Sequence, residues 1–237
     1  MKKKSILIIV LCILVVIFAI FIAREIIIQS DGSLNKSNPM AREEVIELLK
    51  KGEQYPNYYY SPEVKGDTIK TEYYIKDNMV SCFIDGNLSS WTDYNEGKEI
   101  TLWNMQDKKL ADIRKEVKPN PNSQYGFDYS KIVNQDFTYQ YLGEKIVNER
   151  NAIVVQLSNK SDKTKFYIDK ETGVILATAD FYKQYGIFTS KMYCDRNVKF
   201  DNVTEENVKM PDLSTYTVRE VNIIIPQYNW GDFHIGL

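Results

Sequence analysis

Residues 68–104 read TIKTEYYIKDNMVSCFIDGNLSSWTDYNEGKEITLWN, and this stretch decides the fold class. Four runs, TIKTEYYI, MVSCFI, LSSWTDY and EITLWN, are of strand length and rich in β-branched or aromatic residues. Turn formers separate them: Lys76-Asp77-Asn78, Asp85-Gly86-Asn87 and Asn95-Glu96-Gly97, with Gln106-Asp107-Lys108 after the last run. Connections this short join antiparallel neighbours, so the segment predicts a meander continuing to about Ile113.

Downstream, Pro119-Asn120-Pro121-Asn122 interrupts the pattern, and Phe127 to Val133 reads as a short helix. A second set of strands follows at Phe137–Leu142, Ala152–Leu157, Lys165–Asp169, Val174–Phe181 and Phe188–Asp195. The clearest hairpin is Asp169-Lys170-Glu171-Thr172-Gly173, where the glycine supplies the positive φ of the loop. A last strand at about Tyr216 to Ile225 stops at Pro226. Upstream, Asn38-Pro39 opens a helix with an apolar stripe of Ala41, Val45, Leu48 and Leu49. Glu43 and Glu44 lie early, Lys50 and Lys51 late, and Gly52 is the stop.

The expected architecture is therefore α+β, mainly β: a curved antiparallel sheet, an unclosed half-barrel, covered by one or two helices. A long sheet curls rather than leave two flat apolar faces, and the helix packed into its mouth would bury both stripes. Residues 1–28 form a lysine stub and anchor, 29–37 a polar linker, 38–226 the β-rich domain and 227–237 a tail.

The anchor rests on Ser5 to Ala23, apolar throughout apart from its first member. A helix of that length spans ~28 Å, close to the ~30 Å hydrocarbon core. Lys2, Lys3 and Lys4 precede it, which places the N-terminus in the cytoplasm and the domain outside, in a single pass of the cell membrane. Cleavage after Ala23 or Ala19 would put Phe21 or Ile17 at the position that wants a small residue, and Cys12 lies mid-run rather than at a lipobox. A retained anchor is the reading that fits.

Net charge is −2 over 237 residues, with a mean hydropathy of −0.38 that averages an apolar start with a polar remainder. Beyond residue 25 the chain holds 26 basic and 31 acidic residues, a net of −5. A mildly acidic domain is a poor partner for nucleic acid, whose binding depends on neutralising phosphates.

Catalytic sets are thin. The one histidine, His234, lies in the tail, a poor place for a general base. Cys12, Cys82 and Cys194 have no metal-ligand spacing, so no catalytic residue, metal or cofactor is expected. Cys82 and Cys194 both fall on strands outside the membrane, and either a disulfide or two buried thiols fits them. Phe83, Trp91, Trp103, Phe166 and Phe181 sit on strands, where they either pack the core or line a cavity for an acyl chain or peptide.

Tyr141-Leu142-Gly143-Glu144-Lys145-Ile146-Val147, then Ala152-Ile153-Val154-Val155-Gln156-Leu157, leads to Phe166-Tyr167-Ile168-Asp169-Lys170-Glu171-Thr172-Gly173. Tyr185-Gly186, Phe200 to Val203 and Met210-Pro211 follow. This succession resembles the lipoprotein-carrier superfamily of LolA, LolB and the N-terminal domain of RseB, with its G-x-x-x-V, A-x-V-L-x-L and W-I-D-K-x-T-G progression. The resemblance covers roughly Asn38 to Pro211 and implies an unclosed barrel with helical cover and an apolar cavity. In LolA and LolB that cavity carries lipoprotein acyl chains; RseB-like proteins sense envelope signals and restrain a membrane partner. A tethered chain departs from a carrier that must move freely.

Two readings follow. One is a non-enzymatic, extracytoplasmic binding or sensing module holding a lipid, a lipoprotein acyl chain or a partner protein in an apolar cleft. The other is a structural or interaction protein of the cell envelope, serving a membrane protein partner with no small-molecule ligand.

Overall fold

The computed structural model describes Val15 and residues 39–221 apart from 65, 106, 126, 185 and 186. Helix α1 (Arg42–Glu53) comes first, then β1 (Asn57–Tyr60), β2 (Glu63–Val64) and a meander of β3 (Thr71–Lys76), β4 (Met79–Ile84), β5 (Asn87–Asp93), β6 (Lys98–Asn104) and β7 (Lys109–Arg114). A small hairpin, β8 (Ser123–Gln124) and β9 (Phe127–Asp128), and the one-turn helix α2 (Ser130–Val133) follow. The second meander is β10 (Thr138–Val147), β11 (Arg150–Ser158), β12 (Asp162–Asp169), β13 (Ile175–Gln184) and β14 (Ile187–Asp195). Then come β15 (Lys199–Phe200), a 3-10 turn at Glu205–Val208 and β16 (Thr217–Glu220).

The strands form an eight-stranded sheet, β15-β1-β3-β4-β5-β6-β7-β16, and a six-stranded sheet, β10-β11-β12-β13-β14-β2. Two of the chain runs that join the sheets do so at one place. β1 passes into β2 through Ser61 and Pro62, and β14 passes into β15 through Arg196 to Val198. The two sheets are thus one strip bent at a corner, antiparallel except where β16 lies parallel to β7. The Ser61 N–H donates to the Arg196 carbonyl (2.8 Å), and the Arg196 N–H donates to the Leu176 carbonyl (3.0 Å), which carries hydrogen bonding through the bend.

Alternation sorts the side chains into two faces. On β11, Ala152 and Val154 face the inside of the bend with Tyr58, Tyr60, Ile75 and Val80 of the other sheet. Arg150, of the same parity, places its guanidinium 4.4 Å from the Phe200 ring centroid on β15, a contact made across the bend. Ile153, Val155 and Leu157 point the other way, onto Val45 and Leu49 of α1 and Ile132 of α2. The six-stranded sheet is therefore buried on both faces, and α1 covers its outer face rather than entering the mouth of a barrel. The inner face is filled by tyrosines instead.

Turn chemistry placed the meander strands well. Asp77 and Asn78 have φ of 50° and 67°, and Asp85 and Gly86 49° and 77°, as tight hairpin turns require. Strand β10 runs on to Val147, past the expected end at Leu142, because a bulge at Tyr141/Gly143 absorbs the glycine. Phe127 belongs to β9, and only Ser130–Val133 is helical. The final strand is the short β16, with its expected continuation beyond 221 outside the described residues. Helix α1 starts at Arg42, three residues after Pro39, with the Glu44 carboxylate accepting from the Ala41 N–H (2.7 Å). Gly52 is inside its last turn, not its stop. A Cβ there would lie 2.2 Å from the Gly173 carbonyl oxygen, so the glycine lets α1 meet the β12–β13 turn. Asn38, the linker, the tail with His234, and Ser5 to Ala23 apart from Val15 lie outside the described residues. Among the described residues no helix is long and apolar enough to cross a membrane.

The β12–β13 turn is held by Asp169, 1 % exposed. Its carboxylate accepts from the Arg150 guanidinium, the Thr172 N–H (2.7 Å) and hydroxyl (3.0 Å), and the Glu171 N–H (3.0 Å). Burial works to raise its pKa, but the Arg150 and Thr172 donors outweigh it and hold the carboxyl below the ordinary Asp value. A carboxyl depressed on folding stabilises above its unfolded pKa and loses that contribution as pH falls through the folded value. Acid unfolding of the domain should therefore include a component below about pH 4 that Asp169→Asn removes; equal pH dependence in both proteins would contradict this role. Gly173 (φ +79°) and Gly86 (φ +77°) separate conformational from steric cost. A Cβ at Gly173 would stand 1.8 Å from the Leu48 carbonyl oxygen, whereas one at Gly86 meets nothing within 4 Å. In denaturant titrations Gly86→Ala should cost about 1 kcal/mol and Gly173→Ala about 3 kcal/mol or more.

Candidate functional site

Among the described residues, two places that combine polar and apolar groups are the inner corner and a groove on the outer face of the eight-stranded sheet. The corner begins with Asn57-Tyr58-Tyr59-Tyr60, whose alternation sends Tyr58 and Tyr60 inward and Tyr59 outward. Tyr60 stacks on Tyr73 at 4.5 Å, and Tyr58 lies 6.3 Å from both Tyr55 and Phe200. The β8–β9 hairpin is wedged against them. The Tyr60 hydroxyl donates to the Tyr125 carbonyl, and Phe127 sits edge-on to Tyr60 at 5.9 Å. Gln124, fully buried, donates to the carbonyls of Leu49 (3.0 Å) and Gly173 (2.8 Å) and accepts from the Ile175 N–H (2.8 Å). One side chain thus ties α1, the β12–β13 turn and the hairpin together. Arg196, also fully buried, packs its guanidinium against the rings of both Tyr60 and Phe127.

The outer groove, about 360 Å³, has a floor of Met79, Trp91, Val208 and Met210 and a rim that includes Asp93, Glu96, Glu205 and Glu206. The segment carrying Val203 and Val208 crosses the sheet and is pinned there. Asn57 bonds both the carbonyl (3.0 Å) and the N–H (2.9 Å) of Val203, and the Trp91 indole N–H donates to the Val208 carbonyl (2.6 Å). Met210 stays half exposed. Lys76 pairs with Glu205 (3.1 Å), Lys209 pairs with Glu206 (3.4 Å), and the Lys98 amine lies 3.6 Å from the Met210 sulfur and over the Trp91 ring, so the four carboxylates exceed the amines by one. A smaller hollow of about 300 Å³ beside Arg150, Asp169 and Glu171 is lined by the ion pairs of the β12–β13 turn.

The five aromatics singled out in the sequence do not gather in one cavity. Phe166 packs under α1 and Phe181 faces inward, each 2 % exposed. Trp91 floors the outer groove. Trp103 is exposed, its indole N–H donating to Asp112 (3.0 Å), and Phe83 lies edge-on to Tyr74 at 5.4 Å. Cys82 and Cys194 are free thiols on β4 and β14, and burial pushes each up to about 11. Such thiols stay protonated and are weak nucleophiles at neutral pH. Among the described residues no group of three or more His, Cys, Asp or Glu is placed to hold a metal ion. The corner residues Tyr58, Tyr60, Gln124 and Arg196 were not foreseen from the sequence; three consecutive tyrosines in a chain with seventeen were the signal available.

No family model matches the sequence, and no curated protein sequence does. Some solved structures are similar in part. The Pseudomonas aeruginosa MucA/MucB complex includes a chain similar at TM-score 0.48 and 13% identity, over 72% of this chain and 61% of that one. An uncharacterized conserved protein from Thermus thermophilus is similar at TM-score 0.47 and 11% identity, over 77% of this chain and all of that one. A LolA-superfamily protein from Nitrosomonas europaea is similar at TM-score 0.27 and 8% identity, over 70% and 97% of the two chains. This chain's match spans about three fifths of the MucB chains' length. The likeness to each is partial, at identities of 8 to 13% and TM-scores below 0.5.

Proposed function

We propose that this chain is a membrane-tethered interaction module that binds a partner protein on the extracytoplasmic side. Residues 5–23 hold it in the cell membrane in a single pass with the N-terminus cytoplasmic, and the bent β-sheet domain projects outward. The observation that carries the reading is the outer groove, with its half-exposed Met210, its Trp91 floor and its acidic rim. Its complement is a protein segment bearing basic residues along an apolar strip. Holding an acyl chain calls for a dry apolar cavity. At the corner, the inner face instead commits its apolar surface to its own stacked rings. Reaction chemistry has little to work with among the described residues, where the two thiols are held protonated.

The test is made in intact cells with the full-length chain. Alkaline washing of membranes should leave the chain in the pellet, and protease added from outside should digest the domain. A photo-crosslinking residue in place of Met210 should give one protein adduct of discrete mass, lost on combining Glu205→Lys with Glu206→Lys. The same residue in place of Ile146, exposed on β10, should not give that adduct. Recovery of the chain in the wash, or adducts with lipid alone, would overturn the reading.

A further inference from the structure

The turns at one end of the eight-stranded sheet carry apolar side chains that the fold leaves uncovered. β3 begins, β4 ends, β5 begins, β6 ends and β7 begins at that end, where Thr71 lies opposite Ile84, Ile84 opposite Asn87 and Asn104 opposite Lys109. Ile69, Trp103 and Met105 stand there, 56 %, 44 % and 57 % exposed. β3 and β6 are three strand spacings apart, roughly 15 Å, so these side chains form a row along one edge.

Each is held in place. The Ile69 N–H donates to the Asp67 carboxylate (3.1 Å), and the Lys70 N–H donates to that of Asp85 (2.9 Å), which ties the β2–β3 connection to the β4–β5 turn. The Met105 N–H donates to the Lys108 carbonyl (3.0 Å) and closes the β6–β7 turn. Trp103 donates its indole N–H to Asp112, which Arg219 holds in turn (2.7 and 2.8 Å). With that N–H satisfied, the ring presents apolar surface to solvent. Among the described residues of these turns, Lys70, Lys108 and Lys109 are matched by Asp67, Asp85 and Asp107, so the end carries no net charge. The opposite end of the same strands differs. Met79 opens β4 opposite Asp93, the last residue of β5, and the outer groove with its excess of carboxylates lies there.

We propose that the uncharged end docks on the lipid bilayer, inserting Ile69, Trp103 and Met105 at the level of the headgroups. The inference rests on the tether proposed above, which makes the bilayer the nearest surface. Eighteen residues separate Ala23 from Arg42, a reach of at most about 60 Å. Three side chains alone make a weak contact, and tethering turns it into an intramolecular event at high effective concentration. Direction agrees as well. The run β1–β2 heads toward this end within the eight-stranded sheet and, past the bend, toward the end of the six-stranded sheet where β10 starts. Helix α1 begins against that start, with Arg42 donating to the Phe137 carbonyl and the Tyr139 hydroxyl to the Met40 carbonyl (2.8 Å). Tether and apolar end therefore lie in the same direction along that run. Docked this way, the domain holds its groove about one strand length, roughly 20 Å, from the bilayer and open to a protein partner.

The experiment uses the full-length chain in phosphatidylcholine vesicles with brominated acyl chains, a contact quencher of tryptophan, and unbrominated vesicles as the reference. The difference between wild type and Trp103→Phe isolates Trp103 from Trp91 and Trp230. Wild-type emission should fall by about a fifth or more, and Trp103→Phe should lose at least about half of that fall. Ile69→Glu combined with Met105→Glu keeps the indole, brings charge to the interface and should lose as much. Should Trp103→Phe fail to fold, the double variant decides alone. Alkaline washing of the same vesicles reads the tether separately. Undiminished quenching in the double variant, with the chain retained after washing, would overturn the docking and leave the tether standing. Release of the chain by the wash would overturn both.

Discussion

An antiparallel strip that bends back on itself must fill the inside of the bend, and in this molecule tyrosines around a buried arginine do so. The bend falls where both β1–β2 and β14–β15 change sheets, and Arg196 contributes at three levels there. Its backbone bridges Leu176 and Ser61, its guanidinium packs against Tyr60 and Phe127, and its Nη groups reach the backbone of β13 and the β8–β9 hairpin. Cation–π contacts desolvated in this way contribute roughly 2 kcal/mol each, and aromatic pairs about 0.5–1.5 kcal/mol beyond the area they bury. Against them stands the desolvation of a guanidinium, several kcal/mol. The ring contacts alone leave that cost about level.

The second constraint is that the six-stranded sheet is apolar on both faces. Val154 and Tyr167 look inward, while Ile153 and Ile168 look outward, so each face needs its own cover. Helix α1 supplies the outer one through Val45 and Leu49, and two glycines set how close it comes. Gln124 then fastens the helix end, the β12–β13 turn and the hairpin with three buried hydrogen bonds. The outer face of the eight-stranded sheet is covered less completely, by a crossing segment pinned at Asn57 and Trp91. The groove lies in that partial cover.

Much of this was legible in the sequence, for identifiable reasons. Asp-Asn and Asp-Gly turns and runs of β-branched residues mark strands locally, so β4 was readable to the residue. Strand β1 was not, because Asn57-Tyr58-Tyr59-Tyr60 shows no alternation of polarity: both its faces are buried. The start of α1 was displaced because Asn38-Pro39 carries a capping signature, while Glu44 closes the helix on Ala41 instead. The aromatics scattered for a simple reason. Faces alternate residue by residue, and Leu102 and Trp103, adjacent on β6, end as buried and exposed. Arg196 was invisible, since a charge in a sequence is read as solvated unless a partner is evident, and its partners here are rings and carbonyls distant in the chain.

The central claim is that the two sheets face each other across the bend, and one contact made only through that closure reports on it. Arg150 on β11 and Phe200 on β15 belong to different sheets and meet across the inside. A double-mutant cycle of Arg150→Ala and Phe200→Ala, read by denaturant unfolding, isolates their coupling. The account predicts a favourable coupling of about 1 kcal/mol. Additive effects of the two substitutions would contradict it, leaving the sheets side by side rather than folded face to face.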